Sequence, residues 1–82
     1  MEKIIIDNNL LEMLHKMYEL RDDSGKYLQL RKLYPIKDIT KPLLKIETDK
    51  LETLGLIEYE TDNFSFGKIT EEGIKYVEAN IL

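Results

Sequence analysis

Segment 40–55 carries both of its own boundaries, and no other stretch of the chain is so tightly specified. Thr40 opens it with a hydroxyl able to accept one of the N–H groups that a helix leaves unpaired at its start. Pro42 falls in the first turn, where a missing N–H costs nothing. Gly55 stands just past the last apolar position, where a left-handed cap favours a residue without Cβ. Between these limits Leu44, Thr48, Leu51 and Leu54 recur at i, i+4, i+7 and i+10, which predicts an inward helix face flanked by Leu43. The chain must then turn back, because 56–60 alternates, with β-prone Ile57 and Tyr59 two residues apart. A helix that stops abruptly into a returning strand restricts the chain to an α+β arrangement.

The flanking segments read as short elements of the same kind. Asp7 is an N-cap for a first helix over 7–22, in which Leu10, Leu14 and Met17, with Leu11, Met13, Tyr18 and Leu20, form a broad apolar face ending near Arg21. Asp22-Asp23-Ser24-Gly25 is a turn cluster. In 27–34 the letters alternate as far as Leu30, while Leu30, Leu33 and Tyr34 fit a helix face. We read this segment as a short helix closed before Pro35. The Asp62-Asn63 pair supplies a turn, and Phe64-Ser65-Phe66 with Lys68-Ile69 a return strand, so 56–70 is predicted to be a hairpin. Thr70 caps a last helix over 71–80, with Glu71 and Glu72 against the positive end of its dipole and Ile74, Val77 and Ile81 as its buried stripe. With an arm at 1–6, the 82 residues amount to one domain.

Composition excludes several chemistries. There is no cysteine, hence no disulfide, thiol nucleophile or cysteine-held zinc, and a single histidine, His15, cannot make a histidine-rich metal site. His15, Met13 and Met17 are better taken as helix packing residues than as ligands. No Gly-rich phosphate loop or acid–base pairing with histidine is present, so the chain is read as non-enzymatic, with no cofactor and no metal. The longest apolar run is Ile4-Ile5-Ile6 and Met1-Glu2-Lys3 does not open a signal peptide. The expectation is therefore a cytoplasmic protein that does not enter a membrane.

The formal net charge is −4, but it is unevenly spread. Residues 26–45 hold Lys26, Arg31, Lys32, Lys37, Lys41 and Lys45 against Asp38 alone, while both ends of the chain are acidic. Such a cluster is either a solvated basic face or an anion-binding surface.

At this point the order of elements and two stretches of sequence resemble the winged helix-turn-helix superfamily. Asp38-Ile39-Thr40 through Leu44, Leu51, Leu54 and Gly55-Leu56-Ile57-Glu58 resembles the junction between recognition helix and wing in small bacterial and archaeal winged-helix regulators. Lys68-Ile69-Thr70-Glu71-Glu72-Gly73-Ile74 is similar to their wing exit, and the likeness spans about 8–80. It implies a single winged helix-turn-helix domain with a three-helix core, a helix-turn-helix region over 27–54, a two-stranded β-hairpin wing and a C-terminal helix. On physical grounds alone, Leu51, Leu54, Gly55, Leu56 and Ile57 are fold determinants.

The resemblance further implies a DNA-binding transcriptional regulator whose third helix docks in the major groove of double-stranded DNA. Carried over by position, Lys41, Pro42, Lys45, Ile46 and Asp49 would lie on the reading face, with Thr40 at its start. Lys37 and Lys68 would stand beside it, with Arg31 and Lys32 as auxiliary phosphate contacts. Thr40 and the open N–H groups of its turn would suit a phosphate oxygen. Ile46 would touch a thymine methyl or join the core. Asp49 and Glu52 depart from the pattern, as does a wing tip, Asp62-Asn63-Phe64-Ser65-Phe66, without arginine or lysine. These departures keep open a second class, a protein-interaction or assembly module without DNA binding. Its sticky surfaces would be the Phe64/Phe66 wing or the Ile4-Ile5-Ile6 arm. A homodimer, held by the arm and first helix against the partner's last helix, would account for the apolar residues at both chain ends. The alternative is that the arm forms an extra strand within one chain.

Overall fold

The computed structural model describes residues 6–21 and 25–81. In chain order it has α1 (Asn8–Leu20), β1 (Leu28–Gln29), α2 (Leu30–Leu33), α3 (Lys41–Thr53), β2 (Ile57–Glu60), β3 (Asn63–Ile69) and α4 (Glu71–Asn80). The strands form one antiparallel sheet in the order β1-β3-β2, and with the helices make a small α+β fold. Ile4, Ile5, the Asp22-Asp23-Ser24 turn and Leu82 lie outside the described residues.

Asp7 caps α1 by accepting the Leu10 N–H at 2.9 Å. The helix buries Leu10, Met13, Leu14 and Met17 completely. It ends sooner than 22, because Arg21 is already extended at ψ 148°. Leu20 consequently stands exposed at the helix end and leaves the inward face. Ile6 and Ile81, at the two described ends, both pack partly against the core, and Ile6 lies outside any strand.

Segment 27–34 corrects the single short helix expected there. It obeys both of its rhythms in turn: Leu28 and Gln29 pair with Gly67 and Phe66, and only then does the chain wind into α2. Gly67 makes room for this, since a Cβ there would sit 3.4 Å from a Leu30 methyl and 3.1 Å from the Glu58 carbonyl oxygen. The expected two-stranded hairpin is thereby part of a three-stranded sheet.

Thr40 caps α3, accepting the Leu43 N–H, and Leu44, Thr48 and Leu51 face inward as the spacing required. At the other end Gly55, at φ 78°, donates to the Glu52 carbonyl, and the Leu56 N–H to the Leu51 carbonyl. This paired closure brings Leu56 beneath Leu51, both buried. Leu54 was expected on the inner face, and it is 39% exposed. It is the C-cap, rotated off the buried stripe, and Leu56 takes the core place instead.

The β2–β3 turn lies at Thr61 and Asp62, with Asp62 at φ 64°, and Asn63 already belongs to β3, so the turn comes one residue earlier than the Asp62-Asn63 pair suggested. Tyr59 pairs with Gly67, yet Glu60 pairs with Asn63, so 64–66 are skipped in the β2–β3 ladder, while Phe66 stays paired with Gln29 of β1. Bulges of this kind re-aim side chains. Thr70 caps α4, accepting the Gly73 N–H at 3.0 Å while donating its hydroxyl hydrogen to the Gly55 carbonyl. Val77 is fully buried, whereas Ile74 and Ile81 are half-buried. Tyr18 on α1 donates to Glu78 on α4 at 2.9 Å, which raises the Tyr18 hydroxyl above its ordinary pKa.

Candidate nucleic-acid interface

The bulge at 64–66 decides what α3 meets. It turns Phe64 back toward the helix, edge-on to Tyr59 with ring centroids 5.2 Å apart. Tyr59 reaches α3 with its hydroxyl, which lies 2.8 Å from the Thr48 hydroxyl and donates to the Asp49 carboxylate at 2.5 Å. Thr48 in turn lies 3.2 Å from the Lys45 carbonyl. A polar side chain on the buried stripe therefore has its partners, which is the condition for burying it cheaply.

Asp49 accepts at both oxygens. Lys45 pairs with its Oδ2 at 2.9 Å and holds the same ammonium 4.6 Å over the Phe64 ring. The Tyr59 hydrogen bond, with Lys45 beside it, holds the Asp49 carboxyl below the usual carboxylate range. Burial, and then the Asp49 hydrogen bond, push the Tyr59 hydroxyl well above 10.0. Both shifts favour the same state, a charged carboxylate beside a protonated phenol.

Between α3 and the hairpin tip runs a groove of about 880 Å³. Arg31, Lys41 and Lys45 bring cations to it, and Gln29, Asn63 and Ser65 bring polar side chains. Asp62 is the acid on its lining. Lys41 is exposed and has no ion pair among the described residues. Arg31 has a structural duty as well, donating from Nη1 to the Ile39 carbonyl at 2.9 Å and so bracing the loop that leads into α3.

The other expected residues are placed differently. Lys37 folds back on its own loop, donating to the Lys32 carbonyl at 2.7 Å, and the Lys32 side chain is exposed. Thr40 takes the Leu43 N–H at 3.4 Å, the Leu44 N–H goes to the Thr40 carbonyl, and Pro42 has none. Of the first turn, that leaves the Lys41 N–H as the one without a hydrogen bond among the described residues, fewer than the open set expected. Ile46 is 54% exposed and so is not core. Together with Leu54 and half-buried Ile6 it borders a second, apolar groove on the opposite flank of α3. Lys68 does not join α3 at all: it pairs with Glu58 at 3.3 Å, lies 5.0 Å from the Tyr27 ring, and borders a cleft beside Arg21 and Lys26.

Sequence reasoning missed Gln29, Thr48, Tyr59, Asn63 and Ser65 as parts of this surface. Thr48 left one signal, a hydroxyl in line with Leu44 and Leu51, which implied a partner reaching over from another element. Among the described residues no group of three or more His, Asp or Glu side chains could hold a metal ion, and no helix is long and apolar enough to cross a membrane. Comparison with protein-family models, with curated proteins and with solved structures finds no match for the chain.

Proposed function

We propose that the chain is a winged-helix DNA-binding domain of the transcription-regulator type, with β2 and β3 as its wing and α3 presented to the major groove. The observation that carries this is the convergence of Arg31, Lys41 and Lys45 with Gln29, Asn63 and Ser65 along one groove. Cations at the start of a helix suit phosphates, and amide and hydroxyl side chains across from them suit sugar, phosphate and base edges. Of the segregated charge of 26–45, Arg31 and Lys32 come from α2, Lys37 from the loop and Lys41 and Lys45 from α3, which agrees with that use, while Lys26 precedes β1 and borders the cleft beside Lys68.

Anisotropy of a labelled nonspecific duplex, titrated with the protein at low and moderate salt, tests the reading. Binding should weaken steeply with salt, and Lys41→Glu should weaken it at every salt concentration while lowering the salt slope by about one unit. A Lys41→Glu protein that binds as wild type does, or a wild type that ignores duplex at low salt, removes it.

A second reading, a protein-interaction module, draws on the opposite flank of α3. Ile46 and Leu54 are 54% and 39% exposed beside an apolar groove that Ile6 and Leu10 help to line, and Leu43 on the same helix is 53% exposed. Phe64 is 56% exposed as well, although Phe66 is half-buried. Failure of duplex binding with the fold intact would favour this alternative.

A further inference from the structure

We propose that Asp49 limits the affinity of this domain for a polyanion by occupying Lys45 as an internal counter-charge. The inference rests on the DNA-binding reading and concerns the balance of charge within that surface.

The argument lies in how Asp49 is held. Each of its carboxylate oxygens has a partner: Tyr59 Oη at one, Lys45 Nζ at the other. Tyr59 is itself fixed by the Thr48 hydroxyl and by the Phe64 ring, so the carboxylate is anchored from the hairpin as well as from its own helix. The other ion pair of α3, Glu47 with Lys50 at 3.2 Å, has no such anchor among the described residues; Asp49 and Lys50 both border the apolar groove, and what sets the Lys45–Asp49 pair apart is that Lys45 also lines the basic one. A phosphate approaching Lys45 must therefore displace or share an ammonium whose present acceptor is also held by the Tyr59 hydroxyl. It must also approach a fixed negative charge. Like charges brought together across an interface oppose binding, and truncating one of them recovers affinity.

Lys41, without such a partner, carries the first phosphate contact, while Lys45 contributes little in the wild type. Asp49→Asn separates charge from structure, because an amide oxygen can still accept from Tyr59 while the pair with Lys45 is reduced to a neutral contact. With Asp49→Asn, duplex affinity at about 50 mM salt should rise roughly three- to tenfold. The salt dependence should steepen by about 0.9, the signature of one additional phosphate neutralised.

Two controls make the result specific. Lys45→Gln should weaken wild-type binding, but by clearly less than Lys41→Gln does. Lys45→Gln placed in the Asp49→Asn background should erase the gain. Glu52→Gln removes the same unit of charge from the same helix without touching Lys45, and should yield no more than a minor part of the effect. An equal gain from Glu52→Gln would make the effect one of net charge and overturn the proposal. So would a Lys45→Gln loss as large as that of Lys41→Gln, a comparison that does not depend on how well Asp49→Asn folds. If no variant and no wild type binds duplex, the DNA-binding reading itself fails. If wild type binds and Lys41→Gln weakens it while Asp49→Asn gains nothing, only the role given to Asp49 fails.

Discussion

Gly73→Ala should destabilise this protein, although the same change in an ordinary helix interior is stabilising by about 1 kcal/mol. Gly73 is the third residue of α4, and its N–H is held by the Thr70 cap. A Cβ built there runs into the Leu56 carbonyl oxygen and lies 2.6 Å from Ile69 Cγ1. Neither neighbour can yield cheaply. The Leu56 carbonyl accepts the Thr70 N–H at 3.0 Å, Leu56 also closes α3 through its own N–H, and Ile69 is buried at the end of β3. Overpacking of this kind costs about 1–3 kcal/mol. Losing the Thr70 to Leu56 hydrogen bond adds about 0.5–1.5 kcal/mol. Set against the helix-propensity gain, the net loss is about 1–3 kcal/mol. In a domain of this size each kcal/mol moves the melting midpoint by about 4–8 °C. Thermal melts followed at 222 nm, with urea titrations to confirm an unchanged m-value, measure the difference. A midpoint equal to or above that of wild type would refute the close approach of α4 to the α3–β2 junction.

Leu51→Ala should cost about 2–5 kcal/mol, because the side chain is fully buried. Gly55→Val should cost only about 1–2 kcal/mol, since nothing lies within 4 Å of a Cβ there and the penalty is that of φ 78° alone; equal losses by urea titration would contradict this contrast. Tyr59→Phe should cost about 1–3 kcal/mol through the hydrogen bonds it removes. It should also flatten the acid limb of stability. The Asp49 carboxyl is held below its ordinary value of 3.8, so its contribution is complete above that value and disappears as pH falls through the depressed one. A Tyr59→Phe protein that still loses as much stability below pH 4 as wild type would show that another carboxylate governs that limb.

The parts of this fold that were legible in the sequence are those decided locally. Thr40, Pro42 and Gly55 act within one or two turns of themselves, and they bound α3 where expected; Asp7 and Thr70 do the same for α1 and α4. The division of 27–34 was not local. Leu28 and Gln29 become a strand because β3 offers them an edge almost forty residues later, and because Gly67 leaves room for Leu30. Leu54 fitted the helical period but lies where the period ends, so the cap geometry overrode it. For the candidate site, charge located the 26–45 cluster and the resemblance singled out Lys41 and Lys45 within it, but neither told that Lys45 is paired with Asp49 while Lys41 has no ion pair among the described residues. The Lys45–Asp49 pair is readable at i, i+4, whereas the contacts of Tyr59 and Phe64 depend on a ladder slip that no local pattern announces. Lys68 shows the converse: its charge suggested the interface, and its position on the sheet took it elsewhere.

A net charge of −4 does not decide whether such a surface can meet a polyanion, because the answer depends on how far each charge reaches. The molecule measures 32 × 28 × 20 Å, and the Debye length is about 10 Å at 0.1 M salt. At that ionic strength a phosphate in the α3 groove is influenced most by the charges that line it, Arg31, Lys41, Lys45 and Asp62, and by Asp49 through its pair with Lys45, and much less by acids on remote faces. Among these near charges the cations outnumber the acids by one, and that margin exists only because most acidic residues stand outside 26–45. With so narrow a margin, the pairing of one lysine matters. A fixed Asp49 leaves the local field close to neutral, whereas a free Lys45 would make it plainly attractive. The clamp formed by Tyr59 and Phe64 therefore bears on more than stability. By fixing the hairpin against α3 it removes the entropy of ordering the two on binding. By fixing Asp49 it also sets how much of the positive charge on that face is available to a ligand.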